Sequence, residues 1–173
     1  MSLLICSFVI GLLFHAYQQE WFVLLVSHKN NYEQTITTDH TFQQKKIILS
    51  FWKNNKWHKE STHIIWSSEH TQNIKSITNN WFILLEDEKI IENDMQALSA
   101  VISGSKELLL SLNKNPFNQQ DSTFVKLMII QGLLKTFKEN KLPIQSVRFL
   151  IHHQIFNDDH LNFSVSWPIT GYA

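Results

Sequence analysis

The sequence predicts an α+β fold, a mixed β-sheet with two helices packed on it, preceded by an N-terminal hydrophobic anchor helix. Three observations support this prediction. Hydrophobic patterns after residue 45 run in the order strand, strand, helix, strand, strand, helix, strand, strand. Strands outnumber helices, and hairpins alternate with helical crossovers, which is typical of α+β sandwiches. The third observation is an uncharged apolar run over residues 3–14.

The composition fits one folded domain with an appendage. A chain of 173 residues that is 43% hydrophobic has enough apolar surface for a packed core. Lys and Arg (15) balance Asp and Glu (15), so no overall positive field attracts nucleic acid, and we expect no nucleic-acid partner. The single cysteine, Cys6, excludes an intramolecular disulfide and a cysteine-based zinc site.

Residues 1–27 are predicted to be a hydrophobic membrane anchor or signal-anchor. The charge of Glu20 favours the membrane interface over the bilayer core. Neither a basic leader nor a small-residue cleavage site is evident, so we expect the segment to remain uncleaved. A buried core helix followed by a strand over residues 21–26 is the alternative. The orientation stays open, because no Lys or Arg precedes the run and Lys29 follows it.

Residues 28–44 are predicted to be a polar linker and residues 45–173 the folded domain. At its start, β-prone runs over residues 47–52 and 57–66 flank a turn, which predicts a hairpin. The next apolar residues recur at helical spacing and predict a helix; they are Ile74, Ile77, Trp81, Leu84 and Leu85. A second hairpin is predicted over residues 97–112, around Gly104.

The most regular stretch covers residues 121–168. Asp121 is expected to cap a helix that ends near Asn140, because Pro143 prevents its continuation. The predicted buried face of this helix carries Phe124, Leu127, Met128, Ile130, Leu134 and Phe137. Residues 146–151 are β-branched and aromatic, which predicts a buried strand. Residues 160–167 alternate apolar and polar side chains, which predicts a half-exposed strand after a turn.

This second half carries a family resemblance. The helix FVKLMIIQGLLKTF at 124–137 precedes the strand VRFLI at 147–151. The stretch HLNFS at 160–164, with Pro168, is the nearest match to a closing D-L-S-x-P signature, and GSKELLLSL at 104–112 follows a glycine turn. These features resemble the GerMN domain, the sporulation and spore-germination domain of exported bacterial proteins. Asn162 stands at the position of the family's aspartate.

The resemblance implies a GerMN-like α+β fold without an active site. It also implies an N-terminal membrane or lipid anchor and a domain that lies outside the cytoplasm. Such a domain would take part in envelope assembly or envelope binding.

A cluster of metal-ligating residue types lies near the end of the domain: His152, His153, Asp158, Asp159 and His160. Adjacent strand residues point to opposite faces, so His152 and His153 would not face one metal ion in a regular strand. We interpret these residues as polar side chains at a hairpin tip, and we predict no metal ligand and no cofactor. A small metal-dependent enzyme at His153 and His160 is retained as a second alternative function.

No other pattern predicts catalysis. The sequence has no glycine-flanked serine, phosphate-binding loop or dinucleotide fingerprint. The carboxylates that follow the first predicted helix are interpreted as its solvated end; they are Glu86, Asp87, Glu88, Glu92 and Asp94. We therefore name no catalytic residue.

Aromatic and basic residues alternate in the first predicted hairpin. Core packing accounts for Trp52 and Trp66, which leaves Trp57 near the turn. We predict an interaction surface at Trp57, Lys56 and Lys59.

The sequence thus predicts a single-pass protein of the cell membrane, anchored by its N-terminal segment, with an extracytoplasmic, non-enzymatic domain. This domain would act through contacts with a protein partner or a second copy of the chain. A module that binds glycan or peptidoglycan fragments at Trp57 is the first alternative function.

Overall fold

The strands and helices follow the predicted order. The computed structural model describes residues 43–92, 94–118 and 120–171. The elements are β1 (Gln43–Lys53), β2 (Lys56–Trp66), α1 (His70–Asp87), β3 (Ala97–Ile102), β4 (Glu107–Leu112), α2 (Thr123–Glu139), β5 (Ser146–Ile151) and β6 (Trp167–Pro168). This order confirms the predicted α+β class with two helices. The predicted anchor and most of the predicted linker lie outside the described residues.

The strands divide between two sheets. The hairpin β1–β2 is a two-stranded antiparallel sheet, and the second sheet has the order β3-β4-β5-β6. In the second sheet β4 and β5 are parallel and are connected through α2, whereas the other two pairs are antiparallel. The second sheet is therefore the mixed one. None of the described helices is long and apolar enough to cross a membrane.

The β1–β2 hairpin is long and tightly turned. Its two strands have 11 residues each and pair without interruption from Gln43 and Trp66 to Lys53 and Lys56. The two turn residues, Asn54 and Asn55, have φ angles of 53° and 60°. Two consecutive positive φ angles are typical of the type I′ turn, whose twist matches that of the strands, and Asn adopts this conformation more readily than most residues.

Helix α2 lies along the free edge of β1 in the position of a third strand. The side-chain amide of Asn140, which caps the end of α2, accepts a hydrogen bond from the Ile48 amide (3.1 Å) and donates one to the Ile48 carbonyl (2.7 Å). The Thr136 hydroxyl accepts from the Ser50 amide at 2.9 Å. The indole of Trp81 in α1 donates to the Ser50 carbonyl at 2.8 Å. Helix side chains therefore satisfy these backbone groups of the β1 edge.

A glycine permits this close approach of α2 to β1. A Cβ atom at Gly132 would lie 3.0 Å from the Ser50 carbonyl oxygen and 3.2 Å from the Trp81 ring. The same carbonyl oxygen is held by the Trp81 indole, so it has little freedom to move away. Gly132 is therefore a packing requirement, although glycine lowers helix propensity by about 1 kcal/mol.

The core fills the space between the helices and both sheets. Ile47, Leu49 and Phe51 of β1 are buried on one face of the hairpin. On the other side of the core, Ile130 and Leu133 of α2 line an apolar cavity together with Phe149 of β5. This cavity measures about 20 Å³, which leaves room for no more than a water molecule.

A buried ion pair attaches the loop after β5 to α2. Lys126 and Asp158 form a salt bridge in which each side chain is only 5% exposed. The second carboxylate oxygen of Asp158 accepts hydrogen bonds from the amides of His160 and Leu161, both at 3.0 Å. Burial acts to raise the pKa of Asp158, but the hydrogen bonds from Lys126, His160 and Leu161 outweigh it, so the pKa lies below its usual 3.8.

The predictions of the last strand and of the α2 cap were wrong. Residues 160–167 do not form a strand, since only Trp167 and Pro168 pair with β5, and the preceding loop is held by the Lys126–Asp158 pair instead. The cap of α2 is Ser122, whose hydroxyl accepts from the Val125 amide at 3.3 Å. The predicted cap, Asp121, accepts from the Asn118 amide within the preceding loop.

We expect Asn140→Asp to lower the free energy of unfolding by about 2–4 kcal/mol, measured by urea unfolding followed by tryptophan fluorescence. The carboxylate can still accept from the Ile48 amide, but it cannot donate to the Ile48 carbonyl. Gln72→Glu makes the same chemical change on an exposed residue of α1 and should alter stability by less than about 0.5 kcal/mol. Equal effects of the two substitutions would show that the Asn140 contact does not stabilise the fold.

Asp158→Asn should destabilise the fold by about 3–5 kcal/mol near neutral pH, because Lys126 would be left buried without a counter-charge. A carboxyl whose folded pKa is lowered stabilises the fold above its unfolded pKa, and this contribution is lost as the pH falls through the folded pKa. The stability difference between wild type and variant should therefore be largest above about pH 5 and shrink below about pH 4. A pH-independent difference in urea unfolding would contradict the ion-pair account.

Candidate functional site

Three aromatic rings meet at the tip of the β1–β2 hairpin. Trp52 and Trp57 are opposite each other in the strand register, and their rings pack edge to face with centroids 5.3 Å apart. Phe124, in the first turn of α2, packs edge to face on Trp52 at 6.2 Å. The type I′ turn and the start of α2 therefore bring these aromatic residues together from distant parts of the sequence.

A groove opens between the hairpin turn and the start of α2, and we call it the hairpin-tip groove. Its volume is about 480 Å³, within the range of pockets that bind ligands. It is lined by Phe51, Trp52, Lys53, Asn54, Asn55, Trp81, Leu85, Ile90, Phe124, Val125, Met128 and Ile129. Most of these side chains are apolar, and the polar ones come from the hairpin turn.

Apolar side chains at the mouth of this groove are open to solvent. Phe124 is 53% exposed and Val125 is 38% exposed. The sequence placed Phe124 on the buried face of α2, and this prediction was wrong. The first turn of α2 lies at the end of the core, where the Phe124 ring packs edge to face with Trp52 and about half of the residue stays exposed.

Basic side chains surround the hairpin tip. Lys53 is paired with Glu88, and Lys59 with Glu139 at 2.7 Å. Lys56 is exposed and forms no ion pair with any residue that the structure describes. The tip therefore carries more positive than negative charge.

The predicted interaction residues lie at the tip, but on two faces of β2. Trp57 and Lys59 share one face, whereas Lys56 lies next to the turn and belongs to the opposite face, because side chains alternate along a strand. None of these three residues lines the hairpin-tip groove, and the exposed residues Phe124 and Val125 that do line it were not predicted. Phe124 was assigned to the core because it recurs at helical spacing with buried residues. No feature of the neighbouring sequence indicated that its side chain would be exposed.

The two hairpin tryptophans that could offer a flat surface to a sugar ring are covered on one side. The Lys135 ammonium lies 3.9 Å from the centre of the Trp57 ring, and the Lys45 ammonium lies 3.5 Å from that of Trp66. Such contacts are cation–π interactions and occupy one face of each ring. Glycan binding at Trp57 stays a prediction made from the sequence.

The histidines interpreted as a hairpin tip form a two-residue turn. His152 and His153 have φ angles of 47° and 65°, and the flanking Ile151 and Gln154 exchange backbone hydrogen bonds at 2.9 Å. The His153 amide donates to the Ser111 hydroxyl at 2.8 Å. Within the described ranges, no group of three or more His, Cys, Asp or Glu residues is placed to hold a metal ion.

The carboxylates after α1 have separate roles. Glu86 accepts a hydrogen bond from the Met95 amide at 2.7 Å, and Glu88 pairs with Lys53. Asp87 is exposed. Glu86 and Glu88 therefore fix the chain around the end of α1.

The similarity of this chain to known proteins is distant. No protein-family model matches the sequence, and no curated protein matches it. Among solved structures, the 2.5 Å crystal structure of a candidate lipoprotein from Clostridium perfringens is similar, with a TM-score of 0.47 and 15% identity. The similarity covers 74% of this chain and 89% of that chain. A likeness at this level carries no argument about function, and the resemblance to the GerMN domain stays a prediction made from the sequence.

Proposed function

We propose that this chain is a membrane-anchored, extracytoplasmic, non-enzymatic module that acts through protein contacts in assembly of the bacterial envelope. The observation that carries the proposal is the hairpin-tip groove, with exposed Phe124 and Val125 at its mouth. The anchor is the apolar segment over residues 1–27, and the GerMN resemblance supports the compartment.

The groove has the composition of a protein-binding surface. Buried aromatic and aliphatic side chains form its floor, among them Phe51, Trp81 and Leu85. Asn54 and Asn55 form part of a polar rim. An apolar centre with a polar rim, rich in aromatic residues, is typical of surfaces that bind other proteins.

The charges around the groove select an apolar partner segment flanked by acidic residues. Lys56 is an exposed cation without an ion-pair partner among the described residues. The first turn of α2 contains no acidic residue that would repel such a segment. Acidic side chains of a partner would pair with Lys56.

The test is site-specific photo-cross-linking in intact cells, followed by carbonate extraction of the membranes. A photoreactive residue replaces Phe124, and in the control it replaces Ile155, which is equally exposed (52%) but does not line the groove. We expect the chain to stay with the membranes and to form a protein adduct from position 124 only. The cross-linked partner peptide should be apolar with acidic flanks, and Lys56→Glu should lower the adduct yield several-fold.

Equal adducts from positions 124 and 155 would contradict a binding role for the groove. A cross-linked segment with basic flanks would contradict the proposed partner chemistry. Complete release of the chain by carbonate would contradict a spanning anchor.

A further inference from the structure

The two edges of the β1–β2 hairpin differ in how their backbone groups are satisfied. On β1, the outward groups of Ile48 and Ser50 bond to side chains of the helices. The register places Ile48 opposite Ser61 and Ser50 opposite Lys59. In an antiparallel pair, opposite residues both direct their backbone groups toward the partner strand or both away from it. Ser61 and Lys59 therefore direct theirs away from β1.

The outer edge of β2 is a long, unpaired edge. By the same alternation Trp57, His63 and Ile65 also present their amide and carbonyl groups outward. Among the described residues no strand pairs with this side of β2. The edge contains no proline, and the β1–β2 register has no bulge, so two common devices that prevent strand addition are absent.

A groove runs between this edge and α1, and we call it the β2-edge groove. It has a volume of about 160 Å³ and is lined by Leu49, Glu60, Ser61, Thr62, Asn80, Ile83, Leu84 and Asp87. The four α1 residues are spaced as one face of a helix. Ile83 is 54% exposed on that face. A strand edge beside a helix flank is the arrangement in which a peptide adds as a further strand and packs its side chains on the helix.

The charges of the β2-edge groove indicate the chemistry of a segment that would bind there. Glu60 and Asp87 are both exposed, and neither forms an ion pair with a described residue. Lys59 lies on the opposite face of β2 from Glu60. The charged residues among those that line the groove are Glu60 and Asp87, so the groove is acidic around the exposed Ile83.

We propose that the β2 edge takes an extended segment of a partner protein as a third strand. On its side that faces α1, this segment places apolar side chains against Ile83 and basic side chains against Glu60 and Asp87. This goes beyond the proposed function, because it is a second surface whose partner has the opposite charge from that of the hairpin-tip groove.

The probe is an acetylated, fluorescein-labelled nine-residue peptide with Thr at the odd positions and Lys, Val, Val and Lys at the even positions. Anisotropy is measured against the full chain in an uncharged detergent. We expect this peptide to bind at least about tenfold more tightly than its Glu, Val, Val, Glu counterpart. Glu60→Lys combined with Asp87→Lys should reverse the preference, whereas Phe124→Asp should leave it unchanged.

Backbone methylation tests strand addition itself. Only alternate residues of an added strand direct their amides toward β2. Two versions of the lysine peptide are compared: the first is N-methylated at its Thr residues, and the second at its Lys and Val residues. We expect one version to lose at least about tenfold in affinity and the other to keep its affinity. Ser61→Pro removes an outward amide of β2 and should weaken binding of the unmethylated lysine peptide by a similar factor. If that variant does not fold, the two methylated peptides alone test strand addition. Equal loss with both methylated peptides, equal binding of the Lys and Glu peptides, or no binding at about 1 mM would overturn the proposal.

Discussion

The hydrogen bonds between the Asn140 side chain and the backbone of Ile48 determine how the domain is assembled. An amide side chain bonds to both the amide and the carbonyl of one residue, as a neighbouring strand would. Thr136 does the same for the Ser50 amide, and Gly132 allows the helix to come close enough. Helix α2 therefore ends the hairpin sheet on the β1 side, and the hairpin stays separate from the four-stranded sheet.

The free surfaces of the domain follow from this arrangement. Because α2 runs along β1, its first turn lies beside the hairpin turn, and Phe124 and Trp52 border the hairpin-tip groove. The helices satisfy the β1 edge at Ile48 and Ser50, whereas among the described residues no strand pairs with the outer edge of β2, beside α1. The partner segments that we propose for the two grooves therefore differ in charge, acidic at the hairpin-tip groove and basic at the β2-edge groove.

Local sequence patterns were sufficient for the helices and both hairpins, since their apolar residues recur at helical or strand spacing. They were insufficient for the division into two sheets, because that division depends on polar residues, Thr136 and Asn140, which contact a strand about 90 residues earlier. Residues 160–167 alternate like a strand, yet the Lys126–Asp158 pair holds the segment before them as a loop. The interaction surface predicted at Trp57, Lys56 and Lys59 stays a prediction, and none of these residues lines the hairpin-tip groove. The exposure of Phe124 was not predicted, because periodicity alone placed it on the buried face of the helix.

Residue-resolved hydrogen exchange of backbone amides tests the central claim, that α2 protects the β1 edge at Ile48 and Ser50 while the β2 edge stays open. If α2 serves as the third strand, the amides of Ile48 and Ser50 exchange at least about a thousandfold more slowly than in an unstructured chain. The amides of Lys59, Ser61 and His63 then exchange within about tenfold of the unstructured rate, because no strand pairs with them. Fast exchange at Ile48 and Ser50, or equal protection on both edges in the isolated protein, would contradict the account.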